Sequence, residues 1–166
     1  MKRIADGLRA FNVWVGHTVS WLTLAMVLVT FTIVLLRYGF DLGWIWLQET
    51  VTVMHALVFM LAAAYTLADD EHVRVDIVYN RMTKRARAWV NCLGVLFLLV
   101  PFCLLILITG WDYVVSAWAV QEGSPQAGGL PGVYLLKTII LVMPTLLLLQ
   151  GLSTLLQQLP LLFGRR

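Results

Sequence analysis

The stretch VGHTVSWLTLAMVLVTFTIVLL, Val15 to Leu36, contains no Asp, Glu, Lys or Arg, and Arg9 and Arg37 bracket it. A bilayer's hydrocarbon core is about 30 Å thick and a helix rises about 1.5 Å per residue, so roughly 20 apolar residues cross it. In lipid the backbone must satisfy its own hydrogen bonds, which a helix does within one segment. This run therefore reads as a transmembrane helix. Lys2 and Arg3 resemble the start of a leader, but the apolar run is too long for one. Bulky Leu35, Leu36, Arg37 and Tyr38 follow it where a cleavage site needs small residues, so the segment is expected to be retained.

Three further runs have the same character. The second extends from about Ile45 to Ala68 and carries Gln48, Glu49 and His55; the third, Trp89 to Trp111, is free of charge and has a tryptophan at each end. The fourth, Val133 to Leu159, carries Lys137 near its start. Pro101 and Pro144 fall near the middles of the third and fourth, which predicts kinks. With 60% apolar and only 13% charged residues, the 166-residue chain lies outside the soluble range. The expectation is an all-α integral membrane protein forming one membrane domain over residues 1–166. Its spans are at about 15–36, 45–68, 89–111 and 133–159.

Orientation follows from basic residues, which short loops retain in the cytoplasm. Lys2, Arg3 and Arg9 precede the first span, Arg74, Arg81, Lys84, Arg85 and Arg87 lie between the second and third, and Arg165 and Arg166 follow the fourth. These are ten of the twelve Lys and Arg, and they place both termini in the cytoplasm. Arg37 and Lys137 fall at the opposite face, and the loop from Asp112 to Gly132 has no basic residue. The net charge of +3 is thus topological and implies no nucleic-acid partner. Ile4, Leu8, Phe11 and Val15 share a helical stripe, as do Val75, Val78, Tyr79 and Met82, so two short amphipathic helices are expected along the cytoplasmic interface. Lys84, Arg85 and Arg87 would lie there beside lipid phosphates.

Charged groups within the spans are few. Glu49 lies about 6 Å inside the second helix, Lys137 lies at a similar depth in the fourth, and Arg37 ends the first. The three share one layer, which predicts a structural ion pair of Glu49 with Arg37 or Lys137 near the periplasmic face. A proton or ion carrier at Glu49 is the lesser reading, because no second intramembrane acid accompanies it. His55 near the middle of the second span and His17 near the inner end of the first differ in depth by roughly two turns, which disfavours a bis-histidine haem. Cys92 and Cys103 are about 16 Å apart along one helix, beyond disulfide reach. No phosphate-binding loop, dinucleotide glycine pattern or nucleophile–base set is present, so no catalytic, cofactor or metal site is expected. An accessory subunit packed on a larger membrane partner fits best. A small haem-binding redox subunit and a self-assembling small transporter are the rivals.

Several short motifs, in order and at fitting spacing, add to this. Arg37-Tyr38 closes the first helix, Trp46-Leu47-Gln48-Glu49 opens the second, His72-Val73-Arg74-Val75-Asp76 follows it, and Gly129-Leu130-Pro131 and Pro144 come later. The chain thereby resembles the small membrane subunit of tripartite ATP-independent periplasmic (TRAP) transporters, the DctQ-like family. That resemblance implies three things: residence in the bacterial inner membrane, a large elevator-type membrane subunit as partner, and a periplasmic protein that delivers substrate. Sodium coupling and organic-acid binding are then expected in those partners, with this chain bracing the fixed part of the large one. Arg37 and Glu49 match family positions near the outer docking surface, and His72, Arg74 and Asp76 match a cytoplasmic turn. The loop from Asp112 to Gly132, with Glu122, Ser124 and Gln126, is the candidate contact for the binding protein on exposure alone.

Overall fold

The computed structural model describes residues 2–69, 79 and 81–163, and all regular structure in them is helical. Helix α1 spans Lys2–Phe40, α2 Ile45–Leu61 and α3 Ala63–Ala68. After the interval that holds His72, Arg74 and Asp76, which lie outside the described residues, come α4 (Lys84–Gly94), a π-helical turn at Val95–Leu99, and α5 (Val100–Ala119). Helix α6 spans Val133–Phe163. Four of these stretches are long and apolar enough to cross a membrane: Lys2–Phe40, Ile45–Ala68, Lys84–Ala119 and Val133–Phe163. They run alternately up and down. One end of the molecule carries Lys2, Arg9, Arg81 and Lys84 (the basic end), and the other carries the residue 120–132 connection (the loop end).

The spans are longer than the charge-free runs because a helix continues into water on its own hydrogen bonds. At 39 residues α1 is about 58 Å long, nearly twice the hydrocarbon thickness. Its first residues are thus the unbroken extension of the first span, and the separate amphipathic helix expected at Ile4–Val15 does not form. The stripe that packs is also different. Ala5, Asn12, Gly16 and Val19 are buried, whereas Ile4 and Phe11 are exposed. Between helices in lipid, small and polar side chains make the contact and large apolar ones face outward. Of the second expected amphipathic stripe, Val75 and Val78 lie outside the described residues.

Local chemistry explains the interruptions. Asp41 adopts a left-handed φ of 55° after α1, and the Leu42 amide reaches back to the Leu36 carbonyl at 3.0 Å to close the helix. At Ala62 the second span hitches between α2 and α3 without losing its ladder, since Ala62 N–H donates to Val58 O at 3.1 Å and Thr66 N–H donates to Ala62 O at 2.9 Å. The Thr66 hydroxyl donates to the same Ala62 carbonyl at 3.1 Å, a back-bond of the kind that bends helices. Thr83 caps α4 by accepting from the Ala86 amide at 3.3 Å. The π turn ends one residue before Val100, so the wider spacing precedes Pro101, which lacks an N–H and crowds the carbonyl four residues back. Pro144 and Pro160 sit within α6.

Helix α6 is the centre of the arrangement. It packs against α1, α2, α3, α4 and α5, and it supplies more of the buried positions than any other described helix, including Ile139, Leu146, Leu147, Gln150 and Ser153. The first two spans also pack together, but the third span has its interface with the fourth and at most a glancing contact with the first or second. Ala64, Cys103, Leu146 and Leu147 form the core, with Met143 and Leu149 against them. Gly151 lets the π turn approach closely, since a Cβ there would stand 2.7 Å from Leu99 Cδ2 and 3.1 Å from Val95 Cγ1. Gly16 plays the same part for Tyr65, whose side chain occupies the space a Cβ would need. Because the second and third spans do not close on each other, a groove of about 950 Å³ runs between them. Leu67, Asn91, Val95 and Gln150 are among its lining residues.

Candidate functional site

Polar contacts concentrate at the two ends of the bundle, and the loop end holds the residues singled out from sequence. Glu49 lies in the first two turns of α2, where the 120–132 connection folds across it. One carboxylate oxygen accepts from the Ser124 hydroxyl and the other from the Leu130 amide at 2.6 Å. The connection is itself tied, with Ser124 N–H donating to Leu130 O at 2.8 Å and Gly129 N–H to Gln126 O at 3.0 Å. Gly129 must be glycine in this setting, because a Cβ would come within 2.7 Å of the Glu49 carboxylate and closer still to the Ser124 side chain. Glu49 thus fastens a loop to a helix.

Lys137 has a different acid. Its ammonium lies 2.5 Å from Glu122 Oε2 and 4.0 Å from the centroid of the Tyr113 ring, so it joins the end of α5 to the start of α6. Trp118 reinforces this hairpin, donating from Nε1 to Thr138 Oγ1 at 2.9 Å and meeting Tyr134 edge-on at 4.7 Å. The expected pairing of Glu49 with Arg37 or Lys137 therefore does not form. The loop delivers a hydroxyl and an amide to Glu49, and the α5–α6 hairpin returns Glu122 to Lys137. Arg37 stands exposed in the last turn of α1. Of the three loop residues expected to face a partner, Glu122 and Ser124 are engaged in holding the loop, and Gln126 is exposed.

At the basic end lies a second polar network, which none of the sequence expectations includes. Asn12, Gln150 and Ser153 are all at least 97% buried. Asn12 Nδ2 donates to Gln150 Oε1 at 3.1 Å and approaches the Leu146 carbonyl at 3.5 Å. The Ser153 hydroxyl donates to Ala5 O at 2.8 Å and accepts from Gln157 Nε2 at 3.3 Å. Asn12 Oδ1 is buried without a hydrogen-bond partner. Nearby, Arg9 pairs with Asp69 at 3.1 Å, fastening α1 to the end of α3. The signal was present in the fourth run, where Gln150, Ser153 and Gln157 recur at helical spacing within otherwise apolar sequence. His17 lies 5.4 Å from the Tyr65 ring and His55 stacks on Phe59 at 6.3 Å. Among the described residues no three His, Cys, Asp or Glu side chains gather as a metal site, and Cys92 and Cys103 are free and buried.

A family model described as tripartite ATP-independent periplasmic transporters, DctQ component, matches residues 26–161, a range that includes three of the four spans, both halves of the loop-end clasp and the Gln150–Ser153 half of the polar network. The chain belongs to this family. The family is that of small membrane components of TRAP transporters, which are transporter parts and not enzymes, and four long apolar helices mark this chain as a multi-pass membrane protein. The C4-dicarboxylate TRAP transporter small permease protein DctQ of Vibrio cholerae serotype O1 is 32% identical over 107 residues, covering 61% of this chain and 46% of that protein. This DctQ-family chain thus spans about half the length of that curated relative. No solved structure matches it.

Proposed function

We propose that this chain is the scaffold subunit of a TRAP transporter: it holds the fixed part of a large elevator-type membrane subunit while that subunit takes up an organic acid delivered by a periplasmic binding protein. Sodium would drive the cycle through the large subunit, and both termini of this chain would lie in the cytoplasm, as ten of its twelve basic residues favour. The observation that carries the reading is the cross-bracing of one central helix. Polar ties hold α6 at its outer end through Lys137 and Glu122 and at its inner end through Gln150 and Ser153, and Glu49 and Arg9 secure the helices around it. An elevator domain slides against something that must not yield, and a frame tied at both ends suits that task. The relative's name makes C4-dicarboxylates the first substrates to try.

The test is purification of this chain with its candidate large subunit in mild detergent, followed by reconstitution with the binding protein. Sodium-dependent uptake is expected with all three and none with this chain alone. Uptake by this chain by itself would overturn the scaffold reading, and a haem absorption band in the purified chain would replace it with a redox one.

A further inference from the structure

Lipid offers no hydrogen bonds, so a polar side chain at membrane depth is satisfied by its own helix, by a neighbour, or by a partner polypeptide. Most exposed hydroxyls in the spans take the first course. Thr18, Thr30, Thr32, Thr50, Thr109 and Thr145 each donate to the carbonyl four residues earlier, at 2.7–2.8 Å. Helix α2 has a face that does not. Gln48, Thr52 and His55 are all exposed and their side chains make no hydrogen bond among the described residues, and they recur at steps of four and three, in line with Phe59, which is 74% exposed. Thr23 on α1 and Ser116 on α5 are also exposed without a partner, but each is a single position.

Three unanswered polar groups along one stripe covering about 10 Å of helix are costly against lipid and inexpensive against protein. Beside the stripe, under the 120–132 connection, lies a groove of about 610 Å³, bounded by Thr52, Leu57, Pro131, Leu136 and Ile139. It is almost wholly apolar, and Glu49 closes its outer end while already committed to Ser124 and Leu130. The occupant must therefore cross the membrane, present hydrogen-bonding groups at the depths of Gln48 and His55, and fill the groove with aliphatic side chains. A second copy related by a two-fold axis would centre on the stripe and leave the off-axis groove to lipid.

We infer that the Gln48–Thr52–His55–Phe59 face of α2 and the groove beside it seat a transmembrane helix of the large transporter subunit. This rests on the scaffold reading above. The test uses the intact membrane complex with a benzoylphenylalanine photo-crosslinker substituted for Thr52 or Phe59, and for Ile108 as a control. Ile108 is 72% exposed on α5, which meets neither α1 nor α2 over any packed area.

Irradiation is expected to join this chain to the large subunit from positions 52 and 59 and not from 108. Adducts of two copies of this chain, lipid adducts alone from an intact complex, or equal crosslinking from position 108 would each overturn the assignment of the face while leaving the scaffold reading standing. Failure of the unsubstituted chain to retain the large subunit would remove both. In the same complex, Gln48→Leu combined with His55→Leu should lower retention of the large subunit by roughly tenfold, and His55→Gln alone should retain most of it. Unchanged retention in the double variant overturns the inference.

Discussion

The Asn12–Gln150 pair makes a sharp prediction because its two halves are unequal. Among the described residues Gln150 supplies the one acceptor within ordinary hydrogen-bond range of the Asn12 amide, at 3.1 Å; the Leu146 carbonyl is at 3.5 Å. Gln150→Met keeps the shape of the side chain but strands that amide in a site where Asn12 is 1% exposed. An unsatisfied buried donor costs about 1–3 kcal/mol, so a loss of about 2 kcal/mol is expected. Asn12→Ala breaks the same bond, but it also removes Oδ1, an oxygen already buried without a partner, and leaves the Gln150 amide beside the groove between the second and third spans. Its cost should be about 1 kcal/mol. Once Asn12 is alanine, Gln150→Met has no amide to strand, and the double variant should match Asn12→Ala to within about 0.5 kcal/mol. Reversible unfolding in mixed micelles with increasing sodium dodecyl sulfate, followed by far-ultraviolet circular dichroism, gives the four stabilities. Additive losses, or a neutral Gln150→Met, would refute the account of the pair.

Glu49→Ala should speed hydrogen exchange at the Leu130 amide at least severalfold, whereas Arg37→Ala should leave it unchanged; an equal effect from both would restore the Glu49–Arg37 pairing that the structure replaces. Lys137→Met and Glu122→Gln should each loosen the α5–α6 hairpin and shift Trp118 emission to the red, and the double variant should shift it no further; additive shifts would mean the two act separately. Gly16→Val should cost about 1–3 kcal/mol in the same unfolding assay by driving Tyr65 from its place, and Tyr65→Ala should recover part of that loss.

What the sequence made legible was the crossing of the membrane, because four charge-free runs of bilayer length admit few other structures. It did not show where the helices stop. Val15 marks the entry into apolar sequence, while the helix begins at Lys2, since backbone hydrogen bonds do not end where side-chain hydropathy does. Nor could periodicity identify the packed faces: Ala5, Asn12 and Gly16 lie inward, the reverse of what an amphipathic stripe in water would imply. The charged residues at the loop end stand out in the sequence, but their partners do not. Glu49 is 75 and 81 residues from Ser124 and Leu130, a separation only the folded connection brings together. The inner network was readable in part, because Gln150, Ser153 and Gln157 form a polar stripe, but nothing in the first helix marked Asn12 as their counterpart.

That α6 touches every other helix among the described residues has a consequence for how the protein is made. The ribosome delivers the keystone after the stones it supports. The first two spans can pair as they emerge, but the third enters the bilayer with no described span yet packed against it, and Asn12 lacks its acceptor until Gln150 arrives. Until the fourth span inserts, the nascent chain is a hairpin and a stray helix, and closure of the frame is a single late event that depends on Val133–Phe163.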